Sequence, residues 1–134
     1  MKLTGPTRKL LVVDDNVSIL ETIEDIFKDT GVEVIIADNP IHALYLFKTQ
    51  HPQVVLADLN LKTAMDGVTM AQKMKMTNPL TIVFALSGML SMFEASYLRG
   101  AGIDSVMAKP VDADRLRQIA RTAFQEREEW EKLP

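Results

Sequence analysis

Five residues of this chain are of types that do chemistry together: the adjacent pair Asp14-Asp15, then Asp58, Ser87 and Lys109. They are far apart in sequence but share one local setting. Asp14-Asp15 follow the apolar run Leu10-Leu11-Val12-Val13. Asp58 follows Val54-Val55-Leu56-Ala57. Ser87 closes the apolar run 80–86, and Lys109 follows 104–108. If those runs lie side by side, three carboxylates, a hydroxyl and an ammonium meet at one edge. Three carboxylates in proximity repel one another unless protonated or neutralised. A divalent cation neutralises them, and Mg2+ suits an all-oxygen donor set of two or three aspartates with a backbone carbonyl and retained waters. Zinc is disfavoured, because the chain has no cysteine and neither His42 nor His51 stands near the cluster. A carboxylate beside such a metal can act as a nucleophile, with an aspartyl phosphate as the product. Phosphoryl transfer depends mainly on positioning and charge stabilisation. Lys109 would balance the phosphoryl oxygens, and Ser87 would donate a hydrogen bond to one of them.

The elements that must position these residues are legible as alternation. The runs 10–13, 32–37, 54–57, 80–86 and 104–108 are short and rich in branched residues, as buried strands are. Between them lie stretches with helical spacing: 17–28 (Ile19, Leu20, Ile23, Ile26, Phe27), a helix entered at Pro40 behind Asp38-Asn39, then 66–75, 89–99, and a last helix from near Asp112 carrying Leu116, Ile119, Ala120, Ala123 and Phe124. Gly31 marks the end of the first helix. Five βα units in succession predict an α/β fold with a parallel, doubly wound five-stranded sheet. The order 2-1-3-4-5 is the leading topology, flavodoxin-like (βα)5, with ligands at the carboxyl edge where the strand order reverses. All five candidate residues stand at that edge.

Taken in order, Asp14-Asp15, Asp58, Ser87-Gly88 and Lys109-Pro110 resemble the response-regulator receiver family of two-component signalling. The resemblance spans about 8–126, with 1–7 as an N-terminal extension and 127–134 as a charged tail or the start of a linker. It implies a phosphoacceptor at Asp58, loaded by a histidine kinase or a histidine phosphotransfer protein. It implies Mg2+ held by Asp14 or Asp15, Asp58 and the backbone carbonyl of Asn60, and a cis Lys109-Pro110 peptide. It also implies an output partner at the face of the fourth and fifth helices. The chain departs from the family in three places. Val106 stands where members carry an aromatic switch residue, with Tyr97 and Phe84 as the aromatics that could replace it. The loop after Asp58 lacks the common proline and is one residue longer before Asp66-Gly67. The hydroxyl position is Ser87.

Two other functions fit parts of the pattern. A phosphorylation-independent receiver-like interaction module would need only the fold, and Val106 speaks for it. A phosphohydrolase resembling the haloacid dehalogenase type would also use an aspartyl nucleophile with Mg2+. That family has Asp-x-Asp after its first strand, where this chain has Asp14-Asp15-Asn16. The expectation is therefore a signalling domain rather than an enzyme.

Bulk properties set the frame. At 134 residues, 47% hydrophobic and 25% charged, the chain suits a single globular domain. A net charge of −3 argues against direct nucleic-acid binding, which rests on a basic surface. Absence of cysteine excludes disulfides and cysteine nucleophiles. The run 10–13 is shorter than the roughly 7–15 apolar residues of a secretory signal and the roughly 20 of a membrane span. The expected location is the cytoplasm. His42 and His51 read as surface residues, Arg115, Arg117 and Arg121 as a solvated face, and the methionines between Met65 and Met107 as packing, with Met89 and Met92 a candidate partner surface. Trp130 has no role readable from the sequence.

Overall fold

In β1 (Arg8–Val13), Leu10 and Val12 pack on one side of the sheet and Leu11 and Val13 on the other, and all four are buried. A strand covered on both faces needs this continuous apolar run rather than alternation. The computed structural model describes residues 7–59, 66–88 and 98–134. Its other strands are β2 (Val32–Ala37), β3 (Val54–Asp58), β4 (Ile82–Ser87) and β5 (Ser105–Ala108). All pair in parallel, in the order β2-β1-β3-β4-β5. The helices are α1 (Val17–Ile26), α2 (Pro40–Gln50), α3 (Gly67–Thr77), a helical turn at 98–100 labelled α4, and α5 (Ala113–Glu131).

The helices form two layers. Leu20, Ile23 and Phe27 of the α1 region and Leu116, Ala120 and Phe124 of α5 cover the side of Leu10, Leu56 and Leu86. Ala43 and Phe47 of α2 and Met70, Ala71 and Met74 of α3 cover the side of Leu11, Val55 and Val83. This is the fold read from the sequence. The starts of α1, α2, α3 and α5 each have a side-chain cap that accepts from an otherwise unpaired backbone N–H: Asn16 from Ser18, Asn39 from His42, Asp66 from Thr69, and Asp112 from Asp114 and Arg115. Of the two caps expected before Pro40, Asn39 is the one used. Helix α1 stops at Ile26, two residues before its expected end, and the chain turns through left-handed Asp29 (φ 61°) and Gly31 (φ 83°).

Helix α5 runs beyond Phe124, its last buried apolar residue. It crosses the expected boundary at 126 and carries most of the charged 127–134 segment as helix. Polar contacts hold this extension. Arg8 of β1 forms a bidentate pair with Glu128 (both 2.9 Å) and lies 5.7 Å from the Phe124 ring centre. Arg127 is buried at 8% exposure, donates to the carbonyls of Leu80 (3.1 Å) and Gln53 (3.4 Å), and pairs with Glu131 (2.6 Å). Trp130 is 40% exposed. His42 and His51 are both exposed, as expected. Met70, Met74 and Met107 are core residues, whereas Met76 is 84% exposed. Met65, Met89 and Met92 lie outside the described residues, as does most of the helix expected over 89–99.

Candidate functional site

The parallel register brings the strand ends together. Asp14 follows β1 directly, and its N–H donates to the Ala37 carbonyl at the end of β2 (3.2 Å). Asp58 is the last residue of β3 and Ser87 the last of β4. Lys109 follows β5, and its N–H donates to the Ser87 carbonyl (2.9 Å). The Lys109-Pro110 peptide is cis. Four of the five candidate residues are thus the final or next residue of a strand, and Asp15 stands one residue further. Asn60, expected to contribute a carbonyl, lies outside the described residues with the rest of the 60–65 loop.

Asp14, Asp15 and Asp58 each bring a carboxylate oxygen to within 4.8 Å of the others. Asp14 is fully buried, Asp58 and Ser87 are each 4% exposed, and Asp15 is exposed. Lys109 Nζ bridges two of the acids, 3.2 Å from Asp14 Oδ2 and 3.4 Å from Asp58 Oδ2. Asp14 is oriented by its other oxygen: Oδ1 accepts the N–H of Asn16 (2.9 Å). Its Oδ2 is buried and has the Lys109 ammonium nearby, but no donor is aligned for a hydrogen bond to it. Burial raises the Asp14 pKa above the usual carboxylate range. The Asn16 N–H opposes this, the Asp58 charge adds to it, and Lys109 offsets part of it. For Lys109, burial favours the neutral amine, but Asp14 and Asp58 outweigh it and raise its pKa, so the ammonium is secure.

This donor set fits Mg2+. It contains only oxygen ligands, and among the described residues the one ammonium paired with it, Lys109, contacts two of its three acids. A fully buried carboxylate oxygen is left without an aligned donor, an arrangement that costs free energy unless a cation completes it.

The backbone around Asp58 is closely packed. A Cβ on Gly67 would lie 2.3 Å from the Asp58 carbonyl oxygen and 3.1 Å from Leu59 Cα. Only a residue without a side chain lets α3 begin against the end of β3. Beside Lys109, a largely apolar groove of about 490 Å3 runs between α1 and the β5–α5 connection, lined by Ser18, Ile19, Thr22, Ile23, Pro110 and Val111. Sequence reading missed both features. Glycine directly after the Asp66 cap was the available signal for the first, whereas the groove joins segments some ninety residues apart and has none. Val106 pairs with Ala85, on the α3 side of the sheet, whereas Phe84 belongs to the α5-side core. Phe84 therefore cannot take the place of an aromatic at position 106. Tyr97 lies outside the described residues.

Response regulator receiver domains match residues 10–121 of the chain. The chain belongs to this family. Sporulation initiation phosphotransferase F of Bacillus subtilis is 30% identical over 115 residues, covering 84% of this receiver and 90% of that protein. Regulatory protein AtoC of Escherichia coli is also 30% identical, over 117 residues, but this receiver spans only 25% of its length. The crystal structure of the receiver domain of NtrX from Brucella abortus aligns with a TM-score of 0.80 at 30% identity, over 87% of this receiver and 98% of that chain. As a receiver, the protein is a phosphoacceptor domain of two-component signal transduction. No helix among the described residues is long and apolar enough to cross a membrane.

Proposed function

We propose that Asp58 is the phosphoacceptor, that Asp14, Asp15 and Asp58 hold Mg2+ together with the Asn60 carbonyl, and that Lys109 and Ser87 receive the phosphoryl oxygens. The observation that carries this reading is the Lys109 ammonium standing 3.4 Å from Asp58 and 3.2 Å from Asp14. Asp58 Oδ2 attacks phosphorus, the bond from phosphorus to the donor breaks, and the donor leaves with its electron pair. Lys109 moves its interaction from a carboxylate to a phosphoryl oxygen, with no proton transferred. Ser87, at the neighbouring strand end, donates its hydroxyl to a second oxygen. Mg2+, when bound, neutralises charge on the acids and on the incoming group. The domain turns over no external substrate beyond its own phosphorylation and dephosphorylation.

The donor in this reading is a histidine kinase or a histidine phosphotransfer protein in the cytoplasm. The groove between α1 and Pro110-Val111 gives it an apolar surface directly beside the acceptor. Output goes to a partner at the α4–β5–α5 face. Phosphorylation biases one of two arrangements of that face, and Val106 leaves it without an aromatic at that position. The test is intact mass after incubation with acetyl phosphate and Mg2+. One phosphoryl addition is expected in the wild type, and none with EDTA or in Asp58→Asn. Equal uptake by Asp58→Asn would overturn the assignment.

A further inference from the structure

We infer that the receiver has a second anion site, remote from Asp58, that takes a phosphate-class oxyanion between α1, β1 and α5. Arg8, Arg117 and Arg121 line one cavity of about 210 Å3 with Phe27, Thr30 and Val32. These are three of the six arginines in a chain of net charge −3. They come from opposite ends of the sequence and are brought together by the parallel pairing that sets Arg8 beside Val32. No acid lines the cavity itself, although Glu128 and Asp114 each pair with one of its arginines, and the third, Arg121, is an exposed side chain. The adjoining depression shares the Phe27 and Val32 walls but is lined by Glu24, Asp25 and Asp29 with Lys28. The positive lining is therefore a local property and not the character of the whole surface.

Two of the three guanidinium groups are already fixed. Arg8 is clamped by Glu128 through Nε and Nη2. Arg117 is held by the Ile26 carbonyl at the end of α1 (3.3 Å) and by Asp114. A guanidinium carries five N–H donors, so both retain donors after these contacts. The carbonyl end of α1 accounts for the place of Arg117. It does not account for Arg121, one turn further along α5, which has no hydrogen bond or ion pair among the described residues. Like charges four residues apart on a helix disfavour each other. An oxyanion between them turns that repulsion into shared recognition, and arginine matches phosphate oxygens two at a time. The cavity is below the roughly 300–1,000 Å3 usual for drug-sized ligands. It suits a phosphate group whose attached part lies on Phe27 and Val32 or extends into solvent. Free inorganic phosphate and a phosphate monoester such as a nucleoside monophosphate share this chemistry.

The experiment is an NMR titration of the full chain with inorganic phosphate, and separately with adenosine monophosphate, in EDTA so that the acidic site holds no metal. The Nε–Hε signals of Arg8, Arg117 and Arg121 are read. Saturable shifts in these signals are expected, weakened at least fivefold in Arg121→Gln and retained in Lys109→Gln. Tighter binding of the monophosphate would assign the site to an ester, and equal or weaker binding would assign it to free phosphate. Shifts that do not saturate with either anion, that survive Arg121→Gln unchanged, or that vanish in Lys109→Gln would overturn the inference.

Discussion

Replacing Gly67 by alanine tests whether the Asp58 carbonyl and the start of α3 form one rigid unit. The added Cβ would lie 2.3 Å from the Asp58 carbonyl oxygen, where real contacts essentially never fall below 3.0 Å. One backbone must therefore move by at least the difference, 0.7 Å. Neither neighbour gives way cheaply, since Asp58 is locked in β3 against Leu86 and Asp66 caps α3. Overpacking of this kind costs about 1–3 kcal/mol, and the better helix propensity of alanine returns up to about 1 kcal/mol. A net loss of about 1–2 kcal/mol corresponds to a Tm about 4–8 °C lower for a domain of this size. The effect on chemistry is larger, because a misplacement of about 1 Å costs on the order of 100-fold in rate. Phosphoryl uptake from acetyl phosphate, followed by intact mass, is expected to slow by at least about tenfold. The control is Asp66→Ala, which removes the cap on the same helix at a cost of about 1 kcal/mol but leaves Asp58 in place. It should lower Tm similarly and keep uptake within about twofold of wild type, since it displaces no reacting atom. Wild-type uptake by Gly67→Ala would refute the reasoning.

Asp14→Asn should stabilise the metal-free protein at neutral pH by about 1 kcal/mol, because it removes a buried charge that desolvation and the neighbouring Asp58 both disfavour. The same variant should lose the Mg2+ stabilisation, which for the wild type is about 2.7 kcal/mol at a hundredfold excess over Kd; calorimetry with and without Mg2+ reads both. The raised Asp14 pKa gives a pH dependence of definite sign. In EDTA, its contribution to stability is fully present below the ordinary carboxylate range and is lost as pH rises through its folded value. Denaturant midpoints between pH 4 and 8 should show that component in the wild type and not in Asp14→Asn. Glu128 behaves oppositely. The hydrogen bond from Arg8 lowers its pKa, so its contribution is present at neutral pH and fades as pH falls through the folded value, a trend that Glu128→Gln should remove. Arg127→Ala leaves the carbonyls of Gln53 and Leu80 without their charged donor and should cost about 1.5–3 kcal/mol, or about 6–12 °C in Tm.

The sheet order and the strand-end positions of Asp14, Asp58, Ser87 and Lys109 were legible because buried parallel strands leave unbroken apolar runs, and a polar residue closing such a run stands out. The acidic cluster was legible only as far as residue type. What orients Asp14 is a backbone N–H two residues on, from Asn16, and backbone groups leave no mark on composition. The tight approach of Gly67 to the Asp58 carbonyl is a contact between the start of α3 and the end of β3, and no residue pattern encodes it. The sidedness of Phe84 and Val106 depends on strand phase, which a continuous apolar run does not encode. The length of α5 was left open in the sequence for a related reason. Apolar periodicity stops at Phe124, whereas the buried residue that carries the helix onward is Arg127, and its partners lie 47 and 74 positions away.

That arginine changes what counts as the edge of the domain. Cutting the chain after Phe124 would keep nearly every apolar contact of α5, yet it would uncap the two turns that lead into β3 and β4 and release Arg8 from Glu128 at the foot of β1. The damage would appear at the base of the sheet, far from the edge that carries Asp14, Asp58 and Lys109. Amide exchange would quicken first near Gln53 and Leu80, while the acidic cluster at the opposite end kept its geometry. In mechanical terms the last two turns of α5 are a clasp. A pull applied to the carboxyl end of the helix is borne by two backbone carbonyls and one ion pair before any of the core is strained.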